Sequence, residues 1–150
     1  MIYTELTKKA LRISFDAHRE QVDKTGLPYI FHPFHLAEQM DTEDEVIVAL
    51  LHDVVEDTDI TFEELRPQGF SENVMEALFL LTHDDDSEYM EYIEIISNNP
   101  LASKLKIADL RHNSDLTRLE VIDDKMKARL EKYSVAMNFL INEMEKSIVG

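Results

Sequence analysis

Residues 49–58, which read ALLHDVVEDT, decide how the rest of the chain is interpreted. They lie in a segment whose apolar residues recur at the three- and four-residue spacing of a helix: Val46, Ile47, Leu50, Leu51 and Val54. This stripe predicts a helix that is largely buried. The same segment carries four polar side chains that can bind a metal ion or transfer a proton.

These four polar residues form two pairs on the predicted helix. Residues i and i+4 share a helix face, so Glu56 stacks over His52 and Asp57 stacks over Asp53. A buried imidazole or carboxylate costs several kcal/mol unless it is paired or bound to a cation. The pattern therefore favours a metal site with a second layer of carboxylates one turn above it.

Length and composition limit the possible functions. The 150 residues suit one domain that buries about two-thirds of its unfolded surface. With no cysteine, any metal must be held by nitrogen and oxygen atoms. A formal charge of −16 disfavours nucleic acid and anionic membrane surfaces as partners. The start does not look like a signal peptide, and no apolar run reaches the roughly 18 residues of a membrane span, so we expect a cytoplasmic protein.

Helix signals along the chain predict a compact all-α fold of seven to eight helices in a single domain, residues 1–150. No stretch alternates with a period of two, so no sheet is expected. The apolar seam of the last helix suits either the core or the interface of a homodimer. The expected helices run from a Thr4 cap to about Asp23, from Phe34 to Met40, from a Thr42 cap through the central stretch, from a Thr61 cap to near Pro67, after Ser71, from Tyr89 to Asn98, from Pro100 through Asn113, and from about Asp123.

Two other parts of the chain, one before the central stretch and one after it, add candidate metal ligands. His32 lies in a predicted loop, residues 25–33, which two prolines make stiff. Asp109 shares a face of a later predicted helix with Asn113. With His52 and Asp53 they supply two imidazoles and two carboxylates, a set that suits manganese or iron rather than calcium. A lone His beside an Asp is more often ordinary core packing, but the stacked pairs and these additional residues reverse that preference.

The motifs of the chain resemble, in family order, those of the HD superfamily of metal-dependent phosphohydrolases. Within it, they are most similar to the RelA/SpoT-type hydrolase domains and the small alarmone hydrolases. The matching motifs are Ala17-His18 with Gln21 and Lys24, Gly26-Leu27-Pro28-Tyr29-Ile30 with His32-Pro33, residues 52–58, Leu81-Thr82, and Lys106-Ile107-Ala108-Asp109 with His112-Asn113.

The resemblance implies a metal centre and a reaction. One Mn²⁺ ion would be bound by His32, His52, Asp53 and Asp109. The attacking water would be handled by Glu56 and Asp57, and the nucleotide and its phosphates would be contacted by Lys24 and Asn113. The implied reaction is hydrolysis of a phosphorylated nucleotide, which in the alarmone subgroup releases pyrophosphate from the 3′ position of guanosine 3′,5′-bis(diphosphate).

Three departures from the family pattern concern the substrate. Asp23 replaces the first residue of a basic pair, residues 84–86 make the loop after Thr82 acidic, and Leu116 stands where a Thr is often found. Another nucleotide, such as a nucleoside monophosphate or a 2′-phosphorylated dinucleotide, is therefore an alternative substrate. A metal- or nucleotide-binding module without catalysis is the alternative function.

Overall fold

The computed structural model describes residues 1–83, 87–119 and 121–149. Within these ranges the chain is helical, and its extended pairing is limited to an isolated bridge between Val22 and Pro28. The predicted all-α fold is thereby confirmed. The chain divides into two compact units, Met1–Asp84 and Asp85–Gly150, and the single domain stays a prediction. The predicted acidic loop, residues 84–86, lies outside the described residues.

Six helices form the described part of the first unit. Four of them begin where the sequence predicts, because Thr4, Thr42, Thr61 and Ser71 each accept a hydrogen bond from the third backbone N–H of their helix. The helices are α1 (Glu5–Ala17), α2 (Phe31–Glu38), α3 (Glu43–Leu51), α4 (Val54–Asp57), α5 (Phe62–Leu65) and α6 (Glu72–Leu81).

Helix α3 is the centre of the first unit. Its residues 46–51 are all buried, and it packs against α1, α2 and α6. Burying a side chain such as Leu50 contributes about 1.5–3 kcal/mol relative to leaving it exposed. The apolar helix therefore fixes the position of His52, the residue that follows its last turn.

The central stretch is not one continuous helix, so the predicted unbroken helix through residues 49–58 is wrong. Helix α3 ends at Leu51, Asp53 has φ −103° and ψ −1°, and α4 begins at Val54. Asp57 N still donates to Asp53 O at 2.9 Å, which keeps these two residues one turn apart. The apolar spacing gives no sign of the break, because Val54 is buried like the apolar residues of α3.

Two other helix boundaries also differ from the prediction. Helix α1 ends at Ala17 instead of about Asp23, because the chain then turns into the bridge formed by Val22. His32 lies in the first turn of α2 instead of in the loop before it. A proline is tolerated in the first turn of a helix, so Pro33 does not keep His32 outside.

Three helices form the described part of the second unit: α7 (Tyr89–Ser97), α8 (Pro100–Asn113) and α9 (Asp124–Val149). Asn99 caps α8 by accepting from Ala102 N at 3.0 Å, and Pro100 is the first helical residue, as predicted. Helix α9 packs against α7 and α8 and buries Ala136 and Leu140. None of the described helices combines the length and the apolar character needed to cross a membrane.

Candidate metal centre

His52 and Asp53 form the centre of the candidate site. His52 is 4% exposed, and its Nδ1 lies 2.7 Å from the carbonyl oxygen of Ala49. A carbonyl only accepts, so Nδ1 carries a proton, and in the neutral ring Nε2 then presents its lone pair. Nε2 lies 3.0 Å from Asp53 Oδ2, which also offers electron pairs. Two such atoms at this distance need a proton or a cation beside them, so the pair fits a divalent metal ion.

His32 is the second imidazole at this site. It is buried, and the centroid of its ring lies 5.5 Å from that of His52 in an edge-on arrangement. Helix α2 carries it to this place because α2 packs against α3. The first unit therefore brings together three of the predicted metal ligands, two nitrogen donors and one carboxylate.

The predicted carboxylate layer stands beside them. Asp53, Glu56 and Asp57 each place an oxygen within 4.8 Å of the others. Glu56 and Asp57 are exposed, whereas Asp53 is half-buried. Glu56 Oε1 accepts a hydrogen bond from His83 N at 2.9 Å, which limits its movement. Carboxylates this close favour a bound cation or a shared proton, and two of these reach solvent.

Tyr29 and Gln21 contact this site, and the sequence alone assigned them no role there. The Tyr29 hydroxyl donates to Asp53 Oδ2. Gln21 Nε2 donates to the carbonyl oxygen of Asp57 at 2.8 Å, and Gln21 Oε1 lies 2.8 Å from His18 Nδ1. Both residues belong to motifs that are visible in the sequence, but Asp53 and Asp57 lie 24 and 36 positions away from them, so local patterns give no sign of these two contacts.

His18 lies beneath the loop that carries Tyr29. Its ring is 1% exposed and lies 4.8 Å from the Tyr29 ring, centroid to centroid. Burial lowers the pKa of His18, and this outweighs the opposite effects of the Gln21 hydrogen bond and the Asp53 charge. This lowered pKa favours the neutral imidazole, which donates from Nδ1 to Gln21.

Asp109 and Asn113 lie in the second unit. Asn113 Nδ2 donates to Asp109 Oδ1 at 3.2 Å, which agrees with their predicted shared face. Lys106 Nζ lies 3.0 Å from Asp109 Oδ2, and both side chains are largely buried. Burial alone would lower the pKa of Lys106, but Asp109, Tyr92 and Tyr89 together raise it well above its ordinary value. Asp109 is thus a buried carboxylate with donors on both oxygens.

Asp23 and Leu116, two of the departures from the family pattern, lie in different surroundings. Asp23 turns into its own loop, where Oδ1 accepts from Thr25 N at 2.8 Å, Thr25 Oγ1 at 2.6 Å and Leu27 N at 3.1 Å. Gly26 completes this loop with φ +84°. Lys24, the predicted phosphate contact, is exposed beside Asp23. Leu116 is also exposed.

A cavity of about 790 Å³ opens beside this site in the first unit. Gln21 and Asp57 belong to its lining, so Asp57 borders an accessible space. The charged residues that also line it are Asp16, Arg19, Glu20 and Asp59. The walls therefore carry more negative than positive charge.

Comparison with known proteins finds relatives that include several pyrophosphohydrolases, although no family model matches the chain. The guanosine-3′,5′-bis(diphosphate) 3′-pyrophosphohydrolase of Aquifex aeolicus is 32% identical over 123 residues, which are 74% of this chain and 18% of that protein. The pyrophosphohydrolase MESH1 of Danio rerio is 41% identical over 71 residues, 42% of this chain and 39% of MESH1. The chain thus spans well under half the length of each of these relatives.

A solved structure shares the fold. It belongs to a metazoan orthologue of SpoT described as hydrolysing ppGpp, and it superposes with a TM-score of 0.72 at 23% identity. The match covers 93% of this chain and 87% of that one. The match shows that the chain shares the all-helical fold of that structure. In sequence, the chain is similar to the RelA/SpoT-type hydrolases among these relatives, as its motifs indicated.

Proposed function

We propose that the protein is a metal-dependent hydrolase of a phosphorylated nucleotide, and that it releases pyrophosphate from the 3′ position of guanosine 3′,5′-bis(diphosphate). The observation that carries this proposal is the geometry of His52. Its Nε2, which presents a lone pair in the neutral ring, lies 3.0 Å from Asp53 Oδ2 and next to the His32 ring, and two further carboxylates have oxygens within 4.8 Å of Asp53. The names of the relatives point to the same activity.

The proposed cofactor is one Mn²⁺ ion, held by His32, His52 and Asp53 and, as the sequence resemblance implies, by Asp109. The nitrogen and oxygen donors suit Mn²⁺, and they suit iron as the second choice. A bound divalent ion lowers the pKa of its water and polarises a phosphoryl oxygen. The chain's own contribution is to hold the donors within the buried end of α3 and the first turn of α2.

Glu56 and Asp57 are the proposed water-handling residues. Both are exposed and lie within 4.8 Å of Asp53 through their carboxylate oxygens, so they can orient a water molecule and accept its proton. His83 N holds Glu56, and Gln21 holds the backbone of Asp57. Lys24 and Asn113 are the proposed contacts to the nucleotide, and Asn113 keeps its amide oxygen available while it donates to Asp109.

A second candidate is hydrolysis of a nucleotide with fewer phosphates, such as a nucleoside monophosphate or a 2′-phosphorylated dinucleotide. The acidic lining of the cavity beside Asp57 favours it, because a carboxylate at about 4–6 Å repels a phosphate by a few kcal/mol near a surface. Asp23 adds less to this repulsion than its charge suggests, since it accepts three hydrogen bonds from its own loop.

Two aspartates in the same cavity provide a matched test of the chemistry. Asp57→Asn removes a proposed water-handling carboxylate, whereas Asp59→Asn removes the same charge from another part of the lining. We expect Asp57→Asn to lower kcat about 10²–10⁴-fold, the usual contribution of a positioned general base. Asp59→Asn should change kcat less than about threefold, because a surface charge affects such a step only at long range. Equal effects of the two substitutions would refute the role of Asp57.

Glu56→Gln tests whether the protein is an enzyme or a binding module without catalysis. This substitution keeps the acceptor for His83 N but removes the base, so turnover should fall while Mn²⁺ affinity is kept. Turnover by Glu56→Gln equal to that of the wild type would contradict the role of Glu56.

A cytoplasmic location and a homodimer stay predictions from the sequence.

A further inference from the structure

We infer that Tyr29 is a positioning residue for the metal centre and acts through Asp53, and that Gln21 does the same for Asp57. The inference rests on the proposed function, since it assigns Asp53 as a metal ligand and Asp57 as a water-handling residue. In this inference, the loop after α1 aligns two carboxylates that lie on other elements.

The Tyr29 hydroxyl holds one oxygen of Asp53. It donates to Oδ2, the same atom that faces His52 Nε2 at 3.0 Å. An aspartate has two rotatable side-chain bonds, and a fixed donor on one oxygen restricts both. The hydroxyl is also neutral, so it can stay hydrogen-bonded to the carboxylate when a cation binds there.

The Tyr29 ring is itself held on two sides. Its centroid lies 4.8 Å from that of His18 and 5.7 Å from that of His32. Its backbone N donates to Gln21 O at 2.9 Å, and its backbone O accepts from His32 N at 3.0 Å. The contacts close a ring through Tyr29, Asp53, His52 and His32, so a shift of Tyr29 would disturb both the imidazoles and the carboxylate.

Gln21 makes the second link. Its amide N–H donates to the Asp57 carbonyl, so its oxygen must be the acceptor for His18 Nδ1. His18 is buried, and it therefore fixes the Gln21 amide from below. The link ends on the backbone of Asp57, so it sets where the Asp57 side chain begins but makes no contact with the proposed metal ligands.

These two links predict different losses. Residues that support metal ligands typically cost about 10–100-fold in metal affinity when they are altered. Tyr29→Phe keeps the ring and removes the hydroxyl, so the dissociation constant for Mn²⁺ should rise by about 10–100-fold. Gln21→Glu keeps an acceptor for His18 but cannot donate to Asp57, so it should lower kcat while Mn²⁺ affinity stays within about threefold of wild type.

The test is a titration of metal-free full-length chain with Mn²⁺, following the EPR signal of free Mn²⁺. Tyr3→Phe is the matched control, because Tyr3 is 59% exposed and should bind Mn²⁺ like the wild type. Placing 4-aminophenylalanine at position 29 restores a donor at the same point and should recover affinity. Circular dichroism checks that every variant is folded.

Wild-type affinity in folded Tyr29→Phe would overturn the inference for Tyr29. Weak Mn²⁺ binding by the protein with 4-aminophenylalanine at position 29 would overturn it too. If Tyr29→Phe does not fold, the inference is tested with the 4-aminophenylalanine protein alone. Unchanged kcat in Gln21→Glu would overturn the inference for Gln21. A wild type that binds Mn²⁺ but releases no pyrophosphate would instead refute the proposed function, so the two failures are distinguishable.

Discussion

Two lysines in the second unit allow the buried ion pair of Lys106 and Asp109 to be tested against an exposed ion pair. Lys106 Nζ lies 3.0 Å from Asp109 Oδ2, and Lys146 Nζ lies 3.0 Å from Glu143 Oε1, each three residues apart on a helix. The side chains of the first pair are 14% and 7% exposed, and those of the second are 74% and 35% exposed. Distance and spacing are matched, and burial differs.

We expect Lys106→Met to lower the free energy of unfolding by about 3–5 kcal/mol, because it leaves the buried Asp109 charge without its cation. Coulomb's law at 3.0 Å gives about 5–6 kcal/mol at an effective dielectric constant of 20, which is an upper figure before desolvation is subtracted. Lys146→Met should cost about 0.2–1 kcal/mol, as measured for exposed pairs.

Urea unfolding in the presence of EDTA measures both values without a contribution from bound metal. With a slope of about 2 kcal/mol per M urea, Lys106→Met should lower the midpoint by about 1.5–2.5 M, and Lys146→Met by less than about 0.5 M. A loss below about 1 kcal/mol in Lys106→Met, close to that of the exposed pair, would refute the reasoning that this ion pair is buried and energetically coupled.

Three more predictions concern the first unit. Burial lowers the pKa of His18, so on acidification the unfolded chain takes up a proton at this residue before the folded chain does. The contribution of His18 to the stability of the fold is therefore present above pH about 6.5 and is lost as the pH falls below that value. The thermal unfolding temperature should depend less steeply on pH in His18→Asn than in the wild type. Leu50→Ala should cost about 2–5 kcal/mol by urea unfolding, whereas Leu27→Ala at the exposed loop should cost far less. Asp23→Ala should destabilise the protein by about 1–3 kcal/mol and Asp23→Asn by less, because only the alanine removes the loop's acceptor, and equal losses would contradict this account.

The helix starts could be predicted because their causes are local. Thr42, Thr61 and Ser71 each bond to a backbone N–H three residues away, so a short window of sequence contains both partners. The same holds for Asn99 and Pro100 at the start of α8. Asp109 and Asn113 contact each other for a similar reason, since they are one helical turn apart.

The helix ends were harder to predict because apolar spacing continues past them. The break at Asp53 changes the backbone without changing which side of the chain is buried, so the pattern through Val54 looks like one helix. The early end of α1 depends on the pairing of Val22 with Pro28, which spacing does not show. Pro33 similarly suggested a helix start later than the observed one at Phe31.

The candidate site likewise contains some contacts that the sequence predicts and others that it does not. His52, Asp53 and Glu56 lie within five consecutive positions, so their proximity follows from the sequence. The contact of Tyr29 with Asp53 joins two elements that only the folded chain brings together. The inward turn of Asp23 is a further example, because its charge alone indicated repulsion of substrate, whereas its hydrogen bonds show that it orders a loop.

The central claim is that this chain hydrolyses a nucleotide with the help of a divalent metal ion. The most direct measurement is pyrophosphate release from guanosine 3′,5′-bis(diphosphate) by EDTA-treated protein, before and after addition of Mn²⁺. The account predicts no release without metal and rapid release once Mn²⁺ is added. Release that EDTA does not affect would contradict the metal centre, and a folded, Mn²⁺-loaded protein that hydrolyses none of the proposed nucleotides would contradict the function.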